Sequence, residues 1–116
     1  MGMPQAVAQV VPFSHESMSD EEFEDFSEME QEIFEDDDQT INGWKKNMNG
    51  QYGGLYTKKF TRDGMVVHCV NASPHESLGC LAPAYFSDDK EHLAEFLSDM
   101  GLSGSIKENQ PLLLWL

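Results

Sequence analysis

Charge is distributed very unevenly along this chain of 116 residues. The first forty residues contain thirteen Asp and Glu and no Lys or Arg, whereas residues 41–116 contain the other eight acids and all seven basic residues. The second part therefore has the charge balance of an ordinary protein surface. The first part needs an explanation of its own, in its structure or in the partner that it meets.

The size and composition fit one domain with a packed interior. A chain of 13.1 kDa can bury enough surface for a self-sufficient core, and 40% of its residues are apolar, seven Phe among them. The formal net charge of -14 makes unaided binding to nucleic acid or to anionic lipid electrostatically unfavourable. We therefore expect a basic protein as the partner.

Cysteine content and hydropathy predict a soluble cytoplasmic protein. Two cysteines, Cys69 and Cys80, are too few for a disulfide scaffold. The apolar stretch 6–11 is short, is interrupted by Gln9 and follows no basic residue, so we expect no signal peptide. The longest later apolar run, residues 112–116, is far shorter than the roughly 20 residues that span a bilayer.

The acidic part contains a helical pattern at about residues 19–35. Apolar residues recur at spacings of three and four and line one face: Phe23, Phe26, Met29, Ile33 and Phe34. Ser19, with Glu22 three residues later, predicts a capping box at the start. Acidic residues at the far end oppose the helix dipole, so we expect fraying there and no structural need for the run 36–38.

From Ile41 the pattern changes to strands separated by turns. Asn49-Gly50 and Asp63-Gly64 are strong hairpin signals, which place strands near 41–48, 54–61 and 65–71. A further strand near 78–86 contains Pro83. Proline cannot donate a ladder hydrogen bond, so it indicates an edge strand or a bulge.

A second helix follows the strands, capped by Ser87 or Asp88 and stopped at Gly101, with four apolar residues along one face: Leu93, Phe96, Leu97 and Met100. Residues 112–116 form a last strand or a segment packed under a helix. The order α-β-β-β-β-α-β indicates an α+β fold over residues 19–116, with an antiparallel sheet of about four or five strands and one or two helices packed on it. Residues 1–18 are expected to form an extended or partly disordered arm.

The patterns that could carry enzyme chemistry are weak. Five candidate ligands lie close in sequence, but without a C-x2-C pair: His68, Cys69, His75, Cys80 and His92. His68 and Cys69 are adjacent in a strand and would point to opposite faces, which disfavours a zinc site and makes Cys69 a core residue. A Cys–His nucleophile pair has no supporting oxyanion or elbow motif, and Gly53-Gly54 and residues 101–104 match no phosphate-binding loop. We expect no metal, cofactor or catalytic residue, with a small Cys/His enzyme as an alternative.

Basic residues cluster on the first predicted hairpin, among aromatic ones: Lys45, Lys46, Lys58, Lys59 and Arg62. Interleaved basic and aromatic residues are typical of surfaces that bind single-stranded nucleic acid. Five bases do not offset the acidic segment, however. We favour a structural role, in which the hairpin packs near the acidic helix and neutralises part of its repulsion.

The acidic helix is the strongest functional candidate. Residues 19–38 would place twelve carboxylates over roughly 30 Å, about one per 2.5 Å, whereas duplex DNA carries one charge per about 1.7 Å. A face of this kind can occupy a groove that evolved for DNA or RNA. The leading hypothesis is a non-enzymatic inhibitor that binds a basic nucleic-acid-binding protein or nuclease complex, and no nucleic acid or membrane directly. Ten carboxylates would carry the contact: Asp20, Glu21, Glu24, Asp25, Glu28, Glu32, Glu35, Asp36, Asp37 and Asp38.

In overall profile, as a small, single-domain and strongly acidic chain, the sequence is similar to phage-encoded inhibitors such as antirestriction and anti-CRISPR proteins. The similarity lies in size and charge and carries no motif or functional residue. It implies action in the cytoplasm of a bacterial host.

A second hypothesis makes residues 19–38 an acidic-aromatic segment that folds onto a partner through its apolar face: Phe23, Phe26, Ile33 and Phe34. The two hypotheses differ in the free protein, where a rigid mimic keeps the helix folded and a segment that folds on binding does not. The capping box and the regular apolar stripe favour a helix that forms before the partner arrives.

Overall fold

The computed structural model describes residues 6–9, 19–35, 37–52, 55–75, 80–102 and 105–108, and at some positions, Phe23 and Phe26 among them, it describes the backbone only. These segments contain two helices, α1 (Asp20–Phe34) and α2 (Lys90–Met100). They also contain seven strands: β1 (Ala6–Gln9), β2 (Gln39–Ile41), β3 (Trp44–Tyr52), β4 (Leu55–Arg62), β5 (Met65–His75), β6 (Cys80–Ser87) and β7 (Ser105–Glu108).

The strands form one sheet in the order β2-β3-β4-β5-β6-β1-β7, and every neighbouring pair is antiparallel. The predicted α+β fold, with helices packed on an antiparallel sheet, is confirmed. The sheet is wider than expected because the sequence pattern did not predict β1, β2 or β7. Each has four residues or fewer, too short for an alternating pattern to stand out. β1 lies within the predicted arm and inserts between β6 and β7.

Of the two predicted hairpin turns, the one at Asp63-Gly64 is correct and the one at Asn49-Gly50 is wrong. Asp63 and Gly64 join β4 to β5 with positive φ angles of 50° and 83°, as a two-residue hairpin turn requires. The turn predicted at Asn49-Gly50 is wrong, because β3 continues through both residues. The other Asn-Gly pair, Asn42-Gly43, does form a turn, with φ angles of 49° and 87°, and it joins β2 to β3. Gly53-Gly54, between the paired residues Tyr52 and Leu55, lies outside the described residues.

Gly50 is required by a close approach of two strands. The register between β3 and β4 shifts between Asn47 and Gly50, which marks a bulge. A Cβ atom on Gly50 would lie 2.8 Å from the Thr57 carbonyl oxygen and 2.7 Å from its Oγ1. The Asn-Gly pair therefore belongs to a bulge, in which glycine admits the neighbouring backbone.

Pro83 lies at a second irregularity. The register between β5 and β6 shifts between Val70 and Ser73, opposite the part of β6 that contains Pro83. The predicted irregularity at Pro83 is present, but the extra residue lies in β5, where residues 71 and 72 oppose Pro83. The alternative of an edge strand is wrong, because β6 pairs with β5 on one side and with β1 on the other.

Helix α2 begins and ends on local hydrogen bonds. Its N-cap is Asp89, one residue later than predicted, and the Asp89 carboxylate accepts from the Glu91 N–H at 2.8 Å. Gly101 adopts a left-handed conformation, and the N–H of Leu102 donates to the Leu97 carbonyl at 2.9 Å. The predicted stop at Gly101 is thus a Schellman motif, and Leu102 packs into the core.

The main core lies between one face of the sheet and both helices. Phe96 of α2 is central, since its ring contacts those of Trp44, Phe60 and Tyr85 at centroid distances of 5.2, 5.0 and 5.9 Å. Ile33 of α1 is fully buried in the same cluster. The opposite face of the sheet carries a smaller cluster around Ala84 and Phe86. The predicted segment 112–116 lies outside the described residues, and none of the described helices is long and apolar enough to cross a membrane.

We predict that Gly50→Ala lowers the free energy of unfolding by about 1–3 kcal/mol, because the added methyl group forces the β3 and β4 backbones apart. The neighbouring exposed residue provides the control, and Gln51→Ala should stay within about 0.5 kcal/mol of the wild-type protein. Urea denaturation measures both. Equal stabilities of the two variants would contradict the bulge geometry.

Candidate functional site: the acidic face of helix α1

Helix α1 is built as the sequence predicts. It runs from Asp20 to Phe34 with Ser19 as N-cap. The Ser19 hydroxyl accepts from the Glu22 N–H at 3.1 Å, and the Glu22 carboxylate accepts from the Ser19 N–H at 3.0 Å. The hydrogen bond from the Ser19 backbone N–H to the Glu22 carboxylate, with a smaller contribution from the Ser19 side chain, holds the pKa of Glu22 below its usual value. The first turn of α1 is therefore closed by its own side chains.

The apolar residues of α1 whose side chains are described pack against the main core. Ile33 is 0% exposed, and Met29 and Phe34 are partly buried against the main core. The Phe34 ring lies 6.1 Å from that of Tyr85 in β6. The side chains of Phe23 and Phe26 lie outside the described residues. The C-terminal half of α1 is thus packed on the sheet in the free chain.

The opposite side of α1 exposes its carboxylates to solvent. Nine of the ten predicted site residues are exposed: Asp20, Glu21, Glu24, Asp25, Glu28, Glu32, Glu35, Asp37 and Asp38. Asp36, the tenth, lies outside the described residues. Helix packing leaves the acidic side available to a partner because the apolar residues occupy the other side.

Two lysines from the sheet bind the C-terminal end of α1. The Lys46 ammonium of β3 donates to the carbonyl oxygens of Glu32 at 2.7 Å and Glu35 at 3.2 Å. The Lys58 ammonium of β4 donates to those of Phe34 and Glu35, each at 3.0 Å. Unpaired carbonyls and the negative end of the dipole favour cations at this position. Sequence inspection found no cation in the last turn because these cations come from strands distant in sequence.

The predicted role of the run 36–38 needs correction for two of its members. The Asp37 carboxylate lies 3.2 Å from the buried Lys46 ammonium. The Asp38 carboxylate accepts from the Met48 backbone N–H at 2.9 Å. The positive charges of Lys46 and Lys58 offset the repulsion between these carboxylates and the negative end of the helix dipole. Asp37 and Asp38 are therefore parts of the fold as well as members of the acidic surface.

The basic cluster is divided between the two helices. Lys46 and Lys58 contact α1, whereas Arg62 pairs with Glu95 at 2.6 Å and with Asp99 on α2 and lies 4.7 Å from the Trp44 ring. Asp99 also accepts from the Trp44 indole N–H at 3.0 Å. The predicted packing of the basic hairpin near the acidic helix is confirmed for Lys46 and Lys58.

Glu30 is an exception that the sequence analysis missed. Its carboxyl group is half-buried, and among the described residues its Oε2 has no hydrogen-bond partner. Burial raises the pKa of Glu30 to about 7. A signal was present, because Glu30 precedes Ile33 and Phe34 by three and four residues and therefore lies on the apolar stripe.

The cysteine and histidine candidates are placed apart. Cys69 is buried in the main core, and burial raises the pKa of its thiol, which disfavours a thiolate. His68 lies on the opposite face, where its Nδ1 is 3.0 Å from the Thr57 hydroxyl. The side chains of His75 and Cys80 lie outside the described residues. Among the described side chains, no three His, Cys, Asp or Glu residues are grouped closely enough to hold a metal ion.

Comparisons of the chain with protein-family models, with curated proteins and with solved structures found no match.

We predict that Lys46→Met lowers the free energy of unfolding by about 2–4 kcal/mol, because it removes the donor to two helix carbonyls and the partner of Asp37. Lys45→Met is the matched control, since Lys45 is the exposed neighbour and the same positive charge is removed. Thermal and urea unfolding compare the two variants. A Lys46→Met protein as stable as Lys45→Met would show that the lysine does not hold the helix.

Proposed function

We propose that this chain is a non-enzymatic inhibitor that inserts the exposed carboxylates of α1 into the basic nucleic-acid-binding groove of a target protein. The observation that carries the proposal is the two-sided arrangement of α1. One side is fixed to the sheet by Ile33, Lys46 and Lys58, and the other exposes its carboxylates to solvent.

The spacing of the exposed charges suits a groove made for nucleic acid. Helix α1 has 15 residues and would extend roughly 22 Å. Its sequence contains eight carboxylates, about one per 2.8 Å, and the inward position of Glu30 leaves seven of them exposed. This charge density is of the same order as that of duplex DNA, at one charge per about 1.7 Å. Lys and Arg side chains placed for phosphates could therefore pair with these carboxylates.

Preorganisation supports a mimic in preference to a segment that folds on binding. The capping box closes the first turn, and the two lysines close the last. A partner then meets a helix whose backbone is already ordered, so less conformational entropy is lost on binding. Folding onto a partner through Ile33 would first require this side chain to leave the core, where it is fully buried.

An exposed aromatic residue extends the proposed contact. Tyr56 is 88% exposed, and it lies on the same face of β4 as Lys58, which binds the end of α1. Tyrosine is enriched at binding hot spots and can stack on the guanidinium groups that line nucleic-acid grooves.

We place the activity in the cytoplasm, that of the host if the chain is encoded by a phage.

The experiment that tests the proposal is isolation of the partner with the immobilised chain, followed by competition. We expect a basic nucleic-acid-binding protein whose affinity for the chain falls as salt rises from about 50 to 500 mM, because charges at a partly solvated interface are screened. Duplex DNA or RNA that the partner binds should displace the chain. Simultaneous binding of nucleic acid and chain, or an affinity independent of salt, would contradict the proposal.

A matched pair of variants separates the acidic face from net charge. Glu24→Gln with Glu28→Gln removes two exposed charges from α1, and Asp63→Asn with Glu91→Gln removes two exposed charges elsewhere. We expect both double variants to stay within about 1 kcal/mol of wild-type stability. The first should bind the partner at least about tenfold more weakly, and the second should bind nearly as the wild type does. Equal losses in both would mean that total charge, and not the α1 face, sets the affinity.

A further inference from the structure

Glu30 is placed where an ionised carboxylate destabilises the packing of α1 on the sheet. It lies on the turn of α1 that precedes the buried Ile33, and its Oε2 is excluded from solvent. Below it, the Tyr85 hydroxyl of β6 is also buried, and neither oxygen has a hydrogen-bond partner among the described residues. A buried carboxylate without a partner favours its neutral form, or else the loss of the contact that buries it.

Among the residues that the structure describes, the charged and titratable groups around this interface do not stabilise the Glu30 anion. From β6 and β5 come Tyr85 and Cys69, whose pKa values are raised by burial and which are neutral at pH 7. From β3 and β4 come Lys46 and Lys58, whose ammonium groups are directed to the carbonyls of the final turn of α1. Helix α2 faces the core with apolar side chains: Leu93, Phe96, Leu97 and Met100.

The effect of pH has a definite sign. Burial raises the pKa of Glu30 from 4.5 to about 7, and no charge among the described residues opposes this shift. The folded chain therefore holds the proton in a range where the unfolded chain has released it. The contribution of protonated Glu30 to the stability of the fold is fully present below about pH 4.5 and is lost as the pH rises through about 7.

We propose that Glu30 makes the attachment of α1 to the sheet pH-sensitive: the helix is held firmly when this carboxyl is protonated and loosens when it ionises. The switch lies in the half of α1 that packs on the sheet, while the capping box at Ser19 is unaffected. Its consequence for partner binding rests on the proposed function, since the same helix carries the exposed acidic face. The pH response itself is a property of the free chain.

Carboxyl titration by NMR tests the first step on the wild-type chain. With ¹³C-labelled glutamate, the Glu30 side-chain carboxyl should titrate with a midpoint near 7, well above the ordinary glutamate value of 4.5. This measurement needs neither a variant nor a partner. A Glu30 midpoint near 4.5 would overturn the proposal.

Unfolding as a function of pH tests the second step. Between pH 5 and pH 8 the folding equilibrium constant of the wild-type chain should fall by about 10- to 100-fold more than that of Glu30→Gln, which keeps the shape of the side chain and cannot ionise. Glu28→Gln is the control and should follow the wild type. Parallel pH profiles of wild type and Glu30→Gln would overturn the proposal even if the chain inhibits a nucleic-acid-binding protein. Conversely, failure to find such a partner would leave these two measurements unchanged.

Discussion

The contact between the Lys46 ammonium and the end of α1 is the interaction on which the rest of the arrangement depends. A helix that ends in Glu35 and a run of aspartates has no cation of its own at its negative pole. Lys46 is 0% exposed, so its charge acts in a medium of low dielectric constant and must be fully paired. Two helix carbonyls and Asp37 provide that pairing, and they fix the helix to β3, the strand next to one edge of the sheet.

The acidic residues of the first forty positions therefore have different structural roles. Glu22 caps α1, Asp37 neutralises Lys46 and Asp38 binds the β3 backbone. Glu30 lies against the core and titrates near neutral pH. The remaining described acids of α1 face solvent, and the fold supports them from the other side of the helix. Their exposure on an anchored helix is what the proposed inhibitor function requires.

Local features of the fold could be predicted from the sequence, and contacts between distant segments could not. The capping box at Ser19, the Schellman stop at Gly101 and the Asp63-Gly64 turn depend on residues within a few positions of one another. Asn49-Gly50 and Asn42-Gly43 are the same dipeptide, and which of them turns the chain depends on strand pairing. The lysines that complete α1 likewise come from β3 and β4, so the acidic helix end looked unstable in isolation. For the candidate site, the sequence identified the exposed carboxylates but not which of them the fold itself uses.

Amide hydrogen exchange in the free chain tests most directly whether α1 is anchored before any partner arrives. We expect the amides of Ile33 and Phe34 to be protected by at least about 100-fold over an unfolded peptide. In Lys46→Met their protection should fall selectively, while that of the β4–β5 hairpin changes less. Exchange of the α1 amides at the rate of an unfolded peptide in the wild-type chain would contradict the account and favour a segment that folds on its partner.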